Sequence, residues 1–135
     1  MLRTSLLALT LAALASCGGD SAVSDDYQAT VQQASDKQAE AIALAPASPC
    51  NAVAQCANLS FVIPNGHCST QAFHPYSLAS PTAAAASAAA AEEQTLALHA
   101  VDIAPPPPQA CAASIQLPPR LACVANTCQV ALPGS

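Results

Sequence analysis

Six cysteines fall into two groups of three, Cys50, Cys56 and Cys68 before a long alanine-rich middle and Cys111, Cys123 and Cys128 after it. No other feature constrains the fold as strongly. A chain of 135 residues has room for one domain and a tether, and a domain of that size seldom buries enough surface to hold itself without staples. Apolar residues make up 53% of the chain, but nearly half of them are alanine, which removes little area from water at roughly 25 cal/mol per Å². Trp is absent, and the rings are confined to Tyr27, Phe61, Phe73 and Tyr76. The core must therefore be thin and the cysteines must compensate.

Three disulfides among six cysteines allow fifteen connectivities, and spacing alone does not choose between them. Energetics favours at least one bridge between the groups. A loop of about six residues stabilises by roughly 2 kcal/mol when closed and one spanning the middle by roughly 4. Zinc sites need close cysteine pairs repeated, or backed by histidines at fixed spacing, and these intervals do not supply them. His67 beside Cys68, with His74 further on, falls short of such a set. The sequence calls for no metal and no cofactor.

The segments between cysteines point to an α+β fold: a small disulfide-stapled domain with one alanine-rich helix and a few short strands, including a C-terminal hairpin. Leu59-Ser60-Phe61-Val62-Ile63 is β-prone and closed by the turn signal Pro64-Asn65-Gly66. Residues 82–101 are rich in strong helix formers behind Ser80-Pro81, a suitable N-cap with proline at the first helical position, and the helix must end before Pro105. Pro105 to Pro108 reads as a stiff connector to the second cysteine group. Two short apolar runs around Ala125-Asn126-Thr127 suggest the hairpin. Ahead of the cysteines, a helix starting at Asp25 or Asp26 and stopped by Pro46 carries Tyr27, Val31, Ala34, Ala41 and Ala45 at helical spacing. That stripe is weak, and a solvated spacer is the expected role.

The first residues carry an address. Arg3 precedes a short apolar run over residues 6–14, the pattern of an export signal, too short for the roughly 20 residues a membrane span needs. The run ends Leu14-Ala15-Ser16-Cys17, which resembles the lipobox of bacterial lipoproteins. The resemblance implies cleavage before Cys17 and a diacylglycerol thioether on its sulfur, giving a membrane anchor of acyl chains alone. Cysteine parity agrees: setting Cys17 aside leaves an even six for an oxidising compartment. Gly18 in place of aspartate after Cys17 directs the protein, under the enterobacterial sorting rule, to the outer membrane facing the periplasm. The expected organisation is a signal peptide over 1–16, the lipidated cysteine and a polar tether over 17–48, and the six-cysteine domain over 49–135.

Chemistry is harder to find. With Arg3, Lys37 and Arg120 the only basic residues and a net charge of −5, the chain lacks the basic face that nucleic acid requires. No G-x-S-x-G elbow, phosphate-binding glycine loop or H-E-x-x-H occurs. Glu92 and Glu93 project about 100° apart on a helix and read as a solvated face. His99 and Asp102 stand at i, i+3 without a nucleophile, and His67 beside Cys68 would be silenced once Cys68 is oxidised. The expectation is a non-enzymatic binding or structural module that meets an envelope protein or wall polymer. The alternative is a small protease inhibitor presenting residues 115–120, stiffened by Pro118 and Pro119.

Overall fold

The computed structural model describes residues 25–105, 110–112 and 116–132. Expectations for the signal segment, Cys17, Pro106 to Pro108 and Ile115 lie outside them. The element order is helix α1 (Asp25–Ala43), a 3-10 turn (Val53–Gln55), strands β1 (Cys56–Asn65) and β2 (Cys68–Ser77), helix α2 (Ala83–Ile103), and strands β3 (Leu121–Val124) and β4 (Thr127–Val130). The fold is α+β: two helices, two antiparallel hairpins and three disulfides. No helix among the described residues is long and apolar enough to cross a membrane.

β1 and β2 pair along their whole length from Cys56↔Ser77 to Asn65↔Cys68, leaving Gly66-His67 as a two-residue connection. Gly66 takes φ +62°, a conformation that costs a residue with a Cβ atom roughly 1–2 kcal/mol, and glycine at the first central position is the mark of a type II′ turn. The strand foreseen at residues 59–63 is twice as long, and its partner was not foreseen. Pro75 and the polar run Ser69-Thr70-Gln71 hide the alternation of β2, which is half exposed along most of its length. Pro64 and Pro75 are tolerated because they share the parity of Ser60 and Val62 through the register. At that parity the backbone points away from the partner strand, so the missing N–H removes no ladder bond.

α2 begins later than Ser80-Pro81 suggested: its N-cap is Thr82, which makes no side-chain cap bond, and the Ser80 Oγ accepts from the Thr82 N–H at 3.2 Å in the turn just before the helix. The buried residues Ala83, Ala86, Ala90, Glu93, Ala97, Ala100 and Ala104 then recur at alternating intervals of three and four, the spacing of a seam between two helices. Thr30, Ala34, Ala41 and Ala45 supply the other side from α1 and the residues just after it. The N-terminal end of α1 and the C-terminal end of α2 meet at the same hairpin tip, where the Gly66 N–H donates to the Tyr27 hydroxyl at 2.9 Å and His67 Nδ1 lies 3.0 Å from the Val101 carbonyl. The helices therefore run antiparallel. The helix foreseen at Asp25 is present and ends short of Pro46, but it is docked rather than solvated. The stripe looked weak because its residues are small, and small residues are what let two helix backbones approach closely.

The core joins this seam to the first hairpin: Ala41, Ala45, Leu59, Phe61, Tyr76, Ala83, Ala86, Ala89 and Ala90, with Leu44, Ala57, Ile63 and Ala72 at its margin. Phe61 is its largest fully buried side chain. The second hairpin, in register Cys123↔Cys128, turns through Ala125-Asn126, whose φ angles are 49° and 65°, as a type I′ connection demands. It is fastened to the segment after α1 by the Cys128 N–H to Ala47 carbonyl bond at 2.7 Å and the Cys50 N–H to Asn126 carbonyl bond at 3.2 Å. Cys50–Cys123 and Cys56–Cys128 complete the attachment, and Cys68–Cys111 ties the hairpin tip to the chain leaving α2. All three bridges join the first group of cysteines to the second.

Candidate functional site

β1 is paired on one edge only, and its other edge faces α2. Two adjacent side chains of that helix complete it: Gln94 Nε2 donates to the Ser60 carbonyl at 2.7 Å, and the Val62 N–H donates to Glu93 Oε2 at 3.3 Å. An open strand edge is thereby covered without a further strand. Glu93 is 1% exposed. This overturns the expectation that Glu92 and Glu93 form one solvated face. Glu92 is exposed, but the rotation of about 100° between neighbours places Glu93 in the seam, at the one seam position of α2 that is not alanine. The signal was present in the sequence, since counting threes and fours from Ala83 arrives at Glu93.

Glu93 lines a pocket of about 180 Å³ whose other walls are Val31, Ala34, Ser35 and Gln38 of α1 and Val62, Ile63 and Pro64 of β1. Apolar groups make most of the surface, and Ser35 and Gln38 add a hydroxyl and an amide. Burial pushes the Glu93 carboxyl up to about 7, and the bond from the Val62 N–H opposes that rise without cancelling it. The Val62 N–H is its one hydrogen-bond partner among the described residues, which leaves Oε1 without a protein donor.

Lys37 of α1 is engaged elsewhere. Lys37 Nζ lies 2.8 Å from both Glu40 and Glu92, and these bonds raise its affinity for the proton above the ordinary lysine range. This exposed triad links α1 to α2 at the surface, where such pairs contribute little.

The six framework cysteines are all committed to S–S bonds. The sulfurs of Cys50, Cys56 and Cys128 lie within 4.8 Å of one another because two bridges sit side by side, with Cys123 and Cys128 directly opposed on the hairpin. His67 is spent on the Val101 carbonyl, and His74 stands on β2 opposite Leu59. His99 is exposed beside a shallow pocket with Asp26, Thr30 and Ile103, and no bond joins it to Asp102 among the described residues. In the loop before β3, Leu117 is 80% exposed, and the next turn of chain is braced by the Asn58 side-chain amide, which donates to the Pro119 carbonyl at 3.0 Å. Comparison with protein-family models, with curated proteins and with solved structures gives no match.

Proposed function

We propose that this chain is a lipid-anchored protein of the bacterial envelope whose disulfide-stapled domain binds a partner or ligand and catalyses nothing. The observation that carries the anchor is the pairing of the cysteines: six of the seven close on one another, and the seventh is Cys17 at the end of Leu14-Ala15-Ser16. A protein with three structural disulfides belongs in an oxidising compartment, where an unpaired thiol near the terminus would be a hazard unless it were alkylated. The outer membrane, facing the periplasm, is the location Gly18 supports. A binding role is supported by the Glu93 pocket, which is walled by two helices and a strand but pairs its carboxyl with no side-chain base, nucleophile or cation among the described residues.

Metabolic labelling with a clickable fatty acid tests the anchor. Wild type takes up label and fractionates with outer membranes; Cys17→Ser takes up none. Equal labelling of the two overturns the assignment.

A second reading, an inhibitor presenting the loop before β3, draws on the exposure of Leu117 and the brace from Asn58. Two features weigh against it. Leu117 precedes Pro118, a bond that serine proteases cleave poorly, and the carbonyl of Arg120 already accepts the Ala131 N–H at 2.8 Å. Inhibition of a protease at stoichiometric concentration would favour this reading over the first.

A further inference from the structure

We infer that the pocket over Glu93 is a binding site for a primary alkylammonium group, held by its charge on the free carboxyl oxygen and by its alkyl stem on the apolar walls. This rests on the domain being a binding module, and it names the ligand class.

Three observations converge on it. Glu93 is almost wholly buried, yet one carboxyl oxygen has a single 3.3 Å bond and the other none from the described residues. Buried polar groups are as a rule satisfied, and an oxygen that faces a cavity takes its partner from whatever occupies the cavity. Second, the walls Val31, Ala34, Val62, Ile63 and Pro64 are apolar, so the partner needs a hydrocarbon stem as well as donors. At about 180 Å³, the pocket accepts on the order of six water-sized groups, the size of a short amine or the end of a lysine side chain. Third, no charge among the described residues competes for the carboxyl. From β1 no titratable group faces it. On α1, Asp36 and Lys37 sit between the lining residues Ser35 and Gln38 but line a neighbouring pocket with Gln33, Glu40 and Leu96, and on α2 Glu92 is paired with Lys37. The chain's net charge of −5 draws cations toward it.

A cation in the pocket would replace the missing donors and hold Glu93 ionised, so binding and deprotonation are coupled. Because burial raises the carboxyl toward neutrality, the site strengthens as pH rises through about 7.

The experiment uses the whole chain in detergent solution with n-butylammonium, the acetylated methylamide of lysine, and n-butanol as the uncharged control. Wild type should bind both cations at least tenfold more tightly at pH 8 than at pH 5.5, bind butanol negligibly, and lose at least tenfold in affinity for the cations in Glu93→Gln. Carbon NMR of the Glu93 carboxyl in unaltered protein gives a readout independent of any variant: saturating butylammonium should move its titration midpoint down by roughly one and a half units or more, the shift that a tenfold pH dependence of binding requires. Preference for butylammonium over the lysine derivative identifies a small free amine, and the reverse a lysine side chain of a partner; either outcome supports the site. An unmoved midpoint, or equal binding by Glu93→Gln, overturns it. Either failure would leave the fatty-acid labelling of Cys17 unaffected, so the two inferences fail separately.

Discussion

Deleting the bridges Cys50–Cys123 and Cys56–Cys128, singly and together, tests whether they act as staples on the unfolded chain or as packed groups in the folded one. The bridges span 73 and 72 residues, and each taken alone would contribute about 4.4 kcal/mol in the chain-entropy model. They are nearly parallel in sequence, however. With one in place, the other closes a loop of only about eleven residues, the six from Cys50 to Cys56 and the five from Cys123 to Cys128, so a single deletion costs about 2.8 kcal/mol. With both gone, Cys68–Cys111 still holds the chain, and the first bridge restored across it closes about 29 residues, worth about 3.6 kcal/mol. The double deletion should then cost about 6.4 kcal/mol against about 5.5 for the two singles added, a coupling of roughly 1 kcal/mol in which the pair is worse than its parts.

The sign carries the test. Cys50, Cys56 and Cys128 have sulfurs within 4.8 Å of one another, and if shared packing dominated, the first deletion would already forfeit the contact and the double would cost less than the sum. Paired Cys→Ala variants unfolded in urea, with sulfate added to all if the double variant is unfolded in plain buffer, give the cycle. A double deletion that costs the sum or less refutes the entropic account.

The Glu93 carboxyl is raised to about 7 in the fold from an ordinary unfolded value near 4.3. The native state therefore binds more protons than the unfolded state between those values. The contribution of Glu93 to stability is greatest below the lower value and is lost as pH rises through about 7, on the order of 3–4 kcal/mol; Glu93→Gln should flatten the profile of urea midpoint against pH, and an unchanged profile would show that Glu93 does not set it. At the second hairpin, Ala125 holds φ 49° without the side-chain help that asparagine gives. Replacing Ala125-Asn126 by Asn-Gly should raise stability by about 0.5–1.5 kcal/mol, read as a higher thermal midpoint, and a lower midpoint would mean that the turn is not of type I′.

What could be read in the sequence was local or covalent in origin. Pro81 and Pro105 bracket α2, because a fixed φ just ahead of the first turn and a missing N–H just beyond the last act locally. The hairpin at Ala125-Asn126 is legible as a gap between two short apolar runs. That a bridge must join the cysteine groups followed from loop entropy, which depends only on spacing. Tertiary structure decided the rest. Which cysteine meets which depends on where two hairpins dock, and spacing is silent on docking. β2 stayed hidden because a strand exposed along much of its length need not alternate. The helix at Asp25 was legible, but its burial was not, since an alanine stripe looks the same facing water as facing another alanine stripe at close range. Glu93 had the same ambiguity in sharper form: its place in a three-four spacing is written in the chain, but a carboxyl there becomes a buried, half-satisfied group only because α1 lies across it and the bare edge of β1 supplies one N–H and no more.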